Sequence, residues 1–189
     1  MNLTMVRLSL IFPLILLITG CTYYSLIPRG KIEIGGVYTI RSEIAWSKAS
    51  QGNTEIWTVD GSGLQELRFV NGLSDGDLLF KNATQGDLPE YKSDMSFLEI
   101  KEFIETSATA VGVVGITSRN FRPFKFGLLD GFRAEFSYTL EDGLFREGFA
   151  VGAKKENKLY LIIYSGTRLH YYPKNLEDAE FILRSIQIL

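Results

Sequence analysis

The chain is poor in the two side chains on which most small catalytic and metal sites depend. It has one cysteine, Cys21, and one histidine, His170. Disulfide frameworks need cysteine pairs and zinc ribbons or fingers need ligand clusters, so both classes are excluded. A histidine-based triad would have to use His170. Charge of one sign is also lacking: 20 Lys and Arg stand against 22 Asp and Glu, a formal net charge of −2. Nucleic-acid binders carry a basic footprint, which is absent here. No cofactor and no metal is implied. What is present is the composition of a folded protein, 189 residues with 46% hydrophobic and 22% charged side chains.

The first twenty residues are of a different kind. Arg7 supplies a positive start, and Leu8 to Ile18 is an apolar run broken only by Ser9 and Pro13. That run is too short to span a bilayer, which takes about 20 apolar residues, and it suits the apolar core of a signal peptide. It ends in Ile18-Thr19-Gly20-Cys21, which resembles the lipobox of bacterial lipoproteins. The resemblance implies cleavage between Gly20 and Cys21, a diacylglycerol (palmitate-type) thioether on Cys21 and acylation of the new amino terminus. Two or more acyl chains anchor a protein stably where one does not. Thr22 after the cysteine implies sorting to the outer membrane, facing the periplasm. The division expected is a signal peptide over 1–20, a lipidated tether over 21–36, where Pro28, Gly30 and Gly35-Gly36 interrupt the pattern, and one domain over 37–189.

Within that domain the period of two that marks strands recurs. Phe132, Ala134, Phe136, Tyr138 and Leu140 alternate with polar residues, and Asp142-Gly143 follows, a pair that favours a two-residue hairpin turn. Closing there pairs Leu140 with Phe145, Tyr138 with Glu147, Phe136 with Phe149 and Ala134 with Val151. Leu159 to Tyr164 is apolar on both faces and reads as a central strand. Val111 to Thr117 and Pro123 to Leu128 read as two further strands, and Thr54 to Val59 with Leu64 to Val70 as a hairpin. Ser96-Phe-Leu-Glu99 is a capping-box pattern opening a helix with Phe97, Ile100, Ile104 and Ala108 on one face. Asn175 reads as the N-cap of a second helix, with Leu176, Ala179, Leu183 and Ile186 as its buried stripe.

Hairpin, helix, strands, helix indicates α+β, with an antiparallel β-sheet flanked by helices. This order resembles the PsbP-like fold, an α/β/α sandwich, and Tyr38-Thr-Ile-Arg41 with Trp46 downstream is similar to its opening strand. Over nearly the whole mature chain the sequence also looks like a family of uncharacterised proteobacterial lipoproteins. The residues shared are Trp57-Thr-Val-Asp-Gly61, Leu64 to Phe69, Asp75-Gly-Asp-Leu-Leu-Phe80, Gly131-Phe-Arg133 and Leu159 to Tyr172. The resemblance implies no assigned activity, and the fold hosts assembly factors and binding modules alike.

Four places carry candidate chemistry. His170 could join Ser165 and Asp178, but the chain has no G-x-S-x-G nucleophile elbow, so ligand contact or simple packing is expected of it. Asp60-Gly61-Ser62 and Asp75-Gly76-Asp77 have the opening spacing of calcium loops without the closing Glu, and Asx turns account for them. Glu147, in the register above, is the one charge on an apolar strand face, opposite Tyr138. Arg168, Tyr171 and Tyr172 form a potential partner-binding spot, since Tyr and Arg are enriched at interface hot spots. The function expected is a lipid-anchored, non-catalytic binding or assembly-accessory module attached to the membrane through Cys21, with an envelope protein complex as its expected partner. A small-ligand carrier with a cavity between sheet and helix is the alternative, and an envelope hydrolase comes third. A filled sheet–helix interface would favour the first, an apolar pocket of several hundred Å³ the second.

Overall fold

The computed structural model describes residues 24–80 and 88–189. The signal peptide, Gly20, Cys21 and the start of the tether lie outside the described residues. In chain order come β1 (Ser25–Ile27), β2 (Gly30–Ile34), β3 (Tyr38–Ser42), β4 (Trp46–Gln51), β5 (Thr54–Thr58) and β6 (Gln65–Leu73). Helix α1 (Phe97–Ala110) follows, then β7 (Val114–Phe126), β8 (Leu129–Thr139), β9 (Phe145–Lys155) and β10 (Lys158–Thr167). The chain closes with α2 (Tyr171–Lys174), α3 (Leu176–Arg184) and β11 (Gln187–Ile188).

An eight-stranded antiparallel sheet in the order β1-β4-β5-β6-β10-β9-β8-β7 is the centre of the molecule, beside a three-stranded sheet β11-β3-β2. Helix α1 covers one face of the large sheet, placing Ile100, Phe103 and Ile104 on Phe132, Ala134, Phe136 and Leu161. The opposite face buries Trp46, Trp57, Phe69 and Ile162 against Ile34 and Ile40 of the small sheet and Ala179, Ile182 and Leu183 of α3. The fold is therefore α+β, mostly antiparallel sheet with helices on both sides. Both faces of β9 and β10 are buried, so these strands read as almost continuous apolar or small residues.

Local signals explain most elements. Ser96 caps α1: its Oγ accepts from Glu99 N at 3.3 Å, and Glu99 Oε2 accepts from Ser96 N at 2.7 Å. Those bonds hold the Glu99 carboxyl below its ordinary range. At the other end Gly112, at φ +92°, lets the chain leave the helix. Gly112 N bonds Thr109 O and Val113 N bonds Ala108 O, both at 3.1 Å, the paired bonds of a Schellman stop. Glu156 and Asn157, both at positive φ, make the two-residue turn between β9 and β10.

Several expectations need correction. Residues 25–34 are not a tether: β1 pairs with β4 and β2 with β3. Lys31-Ile-Glu-Ile34 alternates as a strand should, and Gly35 and Gly36, at positive φ, serve the turn into β3. The two strands expected over 111–128 are one strand, β7, with irregularities between Val114 and Thr117 and between Arg119 and Arg122. Asn175 stands at the N-cap of α3 without a side-chain cap bond; its amide donates to Asp60 Oδ2 at 3.3 Å instead. Most consequential is the β8–β9 register. Tyr138 lies opposite Arg146, Ser137 opposite Glu147 and Phe136 opposite Gly148, one residue away from the expected pairing. The connection is Leu140 to Leu144, with Gly143 N bonding Leu140 O and Asp142 Oδ1 accepting from Leu144 N, both at 2.9 Å.

Candidate functional site

The shifted register decides which side chains meet beneath α1. A row across four strands, Glu66–Ser165–Gly148–Phe136, faces the helix, and the row beside it is Thr167–Arg146–Tyr138. Ser165 and Gly148 are too short to reach the helix, and Ala108 is the side chain above them. A cavity of about 280 Å³ results. Its apolar wall comes from Phe80, Ile104, Val111, Ile116, Phe136 and Ile163, with Val113 of the helix stop at the rim. A Cβ added at Gly148 would lie 2.6 Å from Tyr164 O, so the short floor is also required by strand packing.

One end of the cavity is polar and rich in donors. Arg146 is buried; its Nη1 donates to Gly63 O at 2.7 Å and its Nη2 to Asp142 Oδ2 at 2.6 Å. Its Nε, and Nε2 of the buried Gln65, have no hydrogen-bond partner. Buried donors are rarely left so without a ligand or water to receive them. Burial raises the Tyr138 phenol above its ordinary pKa, against a hydrogen bond with Ser165 that lowers it, so Tyr138 keeps its proton at neutral pH. Arg68 bonds Glu66 Oε1 through Nη2 at 3.0 Å and lies 5.3 Å from the Phe80 ring centroid. Each guanidinium already has a carboxylate, Arg146 with Asp142 and Arg68 with Glu66, so what this end offers is the unpartnered N–H donors of Arg146 and Gln65, suited to an acceptor-bearing group.

The residues singled out in the sequence fall in different places. Tyr138 lines the cavity, and Glu147, on the other face of the sheet, does not. Glu147 pairs with Arg119 and Arg168, each at 3.5 Å. Arg168 is exposed and stacks on Phe145 at 5.3 Å. His170 is exposed, with its ring edge-on to Tyr171 at 4.8 Å. It shares no hydrogen bond with Ser165 or with Asp178, which accepts from Ser42 Oγ, Glu43 N and Trp46 Nε1. Of the acidic turns, Asp77 uses its carboxylate locally, Oδ2 accepting from Ser74 N at 2.8 Å, whereas Asp60 receives Lys174 and Asn175 and Asp75 receives Ser93 from farther along the chain, not the Asx turns expected of them. Among the described residues no group of three His, Cys, Asp or Glu could hold a metal ion. Arg146, Gln65 and Gly148 were not singled out from the sequence. The available signal was Arg146 itself, a charge that shares a strand face with the short side chains Gly148, Ala150 and Gly152.

Tyr172 packs on Tyr164 at 5.4 Å, and Tyr164 donates to Tyr172 O at 2.7 Å. A Cβ at Gly166 would lie 2.9 Å from Tyr172 N, so that glycine admits α2 against β10. Burial pushes the Tyr172 phenol up to about 12 and Tyr164 further still. A raised phenol pKa favours the protonated folded state. Stability from this source is complete below pH ~10, where unfolded tyrosines begin to ionise, and is lost as pH rises through the folded values. Alkaline unfolding followed by circular dichroism is expected to begin above pH ~10, and Tyr172→Phe to weaken that dependence.

No protein-family model matches the chain, and no curated protein matches it. Among solved structures, the crystal structure of a protein from Bacteroides thetaiotaomicron overlaps with a TM-score of 0.50 at 13% identity, covering 85% of this chain and 49% of that one. The likeness is one of fold. This chain spans about half the length of that protein. LpqN of Mycobacterium tuberculosis, described as involved in cell envelope biogenesis, covers 90% of this chain and 86% of its own at 9% identity. Its TM-score of 0.40 is too low to bear on this chain. No helix among the described residues is long and apolar enough to cross a membrane.

Proposed function

We propose that this chain is an envelope lipoprotein, acylated at Cys21 and facing the periplasm from the outer membrane. Its folded part acts as a non-catalytic carrier of a small amphiphile with an acceptor head group. One observation carries the reading: an apolar cavity under the C-terminal half of α1 ends in two buried donors without partners, on Arg146 and Gln65. A purely structural sheet–helix interface would be filled, which is why the carrier ranks above the assembly-accessory reading. The hydrolase reading would need a nucleophile hydrogen-bonded to His170. The signal peptide and lipobox support the anchor. The layering of α1, sheet and α3 supports a PsbP-like arrangement shared with the uncharacterised proteobacterial lipoproteins.

The test uses 8-anilinonaphthalene-1-sulfonate, whose sulfonate offers only acceptors and whose rings are apolar. The wild-type chain is expected to bind it saturably. Ala108→Phe, which puts a ring into the cavity, is expected to weaken binding at least about tenfold, the equivalent of about 1.4 kcal/mol. Near-UV circular dichroism confirms that the variant keeps its packing. Unchanged binding in a folded Ala108→Phe protein would sink the carrier reading.

A further inference from the structure

Six of the twelve exposed large apolar side chains among the described residues lie at one end of the large sheet, while Leu98, Phe121 and Leu128 lie towards the other. Val59, Val111, Val114, Leu144, Phe145 and Leu169 are all exposed, Leu169 to 95%. They lie in four connections, β5–β6, α1–β7, β8–β9 and β10–α2, or on the strand residue that follows one, as Val114 and Phe145 do. The pairing brings those connections together, because Gln65–Gly166, Thr167–Arg146, Thr139–Phe145 and Val114–Thr139 are all terminal pairs at this end. By contrast Leu128, 89% exposed, sits on the β7–β8 turn at the far end. Exposed apolar groups gathered from separate loops mark an interaction surface.

Most charges around this surface are paired, Asp60 with Lys174, Asp142 with Arg146 and Glu147 with Arg168, and the one charge left over among the described residues, Glu141 in the β8–β9 connection, is a single carboxylate. Nothing in that arrangement selects a partner by charge. The chain upstream favours a lipid. Tyr24 OH lies 3.4 Å from Ser62 Oγ in the β5–β6 connection, so the side chain of the first described residue reaches this same end from the start of β1, a strand that runs towards it. Cys21 is three residues earlier, a stretch that reaches at most about 11 Å. Tyr23 and Tyr24 are also the residue type that settles at the membrane–water interface.

We infer that this end of the sheet rests on a lipid bilayer, its apolar loop side chains set into the interfacial region. The cavity lining runs out to Ser62, Val111, Val113 and Leu140 at the same end, so the cavity opens towards the leaflet and takes its amphiphile from there. The inference rests on the proposed Cys21 anchor for its placement and on the carrier reading for its cargo; the docking has its own test.

Full-length protein is reconstituted in phosphatidylcholine vesicles. Leu144→Cys, Leu169→Cys and Leu128→Cys each receive a fluorescent thiol label, and the wild-type chain is treated in parallel. Labels at 144 and 169 are expected to be quenched several-fold by brominated lipid and shielded from iodide, and the label at 128 the reverse. The pattern should persist between about 0.1 and 1 M salt, where screening lengths fall from about 10 to 3 Å. Equal iodide access at all three positions overturns the docking. So does shielding that appears only when envelope proteins are added, since the partner is then a protein. If the wild-type chain takes the label at Cys21, the anchor reading fails separately. The same variants are then read on a Cys21→Ser background with added vesicles, where lipid quenching at 144 and 169 supports the docking and its absence overturns it. Sulfonate binding by the cavity is a third, independent readout.

Discussion

Asp178→Ala is expected to destabilise the protein by about 2–3 kcal/mol, because it removes a charged acceptor shared by three donors, two of them buried. Asp178 lies in the first turn of α3, where a negative charge suits the helix dipole. Its carboxylate does more than complement that dipole. Oδ1 accepts from Glu43 N at 2.7 Å, and Oδ2 accepts from Ser42 Oγ at 2.8 Å and Trp46 Nε1 at 3.0 Å. One side chain thus holds α3 to the chain between β3 and β4, beside the fully buried Trp46. Ser42 keeps a second acceptor in Ile44 O, and Trp46 a second contact in Ser42 Oγ, whereas Glu43 N has no replacement. Asp178→Asn keeps the shape and one acceptor oxygen and should fall between wild type and Ala. Urea unfolding measures all three; a loss below about 1 kcal/mol for Asp178→Ala would show that water or a neighbour takes over.

Phe136 and Phe149 are expected to be individually costly to truncate and energetically independent of each other. Each is buried, Phe136 beneath α1 and Phe149 in the core on the other side of the sheet. Truncation of either to Ala should cost about 3–5 kcal/mol. The milder Phe136→Leu and Phe149→Leu keep the double variant folded, so that a cycle can be completed. Their effects should add within about 0.5 kcal/mol, because the two rings belong to cores on opposite faces of the sheet. A register with the two rings face to face would instead give a measurable coupling.

That register shows where sequence reasoning reached its limit. Alternation in β8 was legible, and so were the α1 capping box, the β5–β6 hairpin and the two-sided apolar character of β10. Matching apolar to apolar across β8 and β9 gave the wrong partner, because β9 is buried on both faces and each alternation in it could face a core. Size complementarity settles the pairing: Phe136 meets Gly148, Ala134 meets Ala150 and Phe132 meets Gly152. A Cβ at Gly152 would lie 2.8 Å from Phe132 Cε1, so large and small must alternate across the strands beneath α1. Asp142-Gly143 suggested a two-residue turn, but Asp142 also serves Leu144 and Arg146, which lengthens the loop. The candidate site followed the same error. With the register displaced, Glu147 seemed to share a face with Tyr138, and the place belongs to Arg146.

The two edges of the large sheet, β1 and β7, bear on what happens when many copies crowd together. An open strand edge invites a neighbour to add its own strand, the first step towards fibres. Here β1 offers only Ser25 to Ile27, too short a template to hold a partner. β7 is long, but its ladder is interrupted twice and Pro123 removes a donor. Proteins tethered to a surface meet one another at far higher local concentration than in free solution. Edges of this kind let such a layer be packed densely while each sheet stays closed to the next.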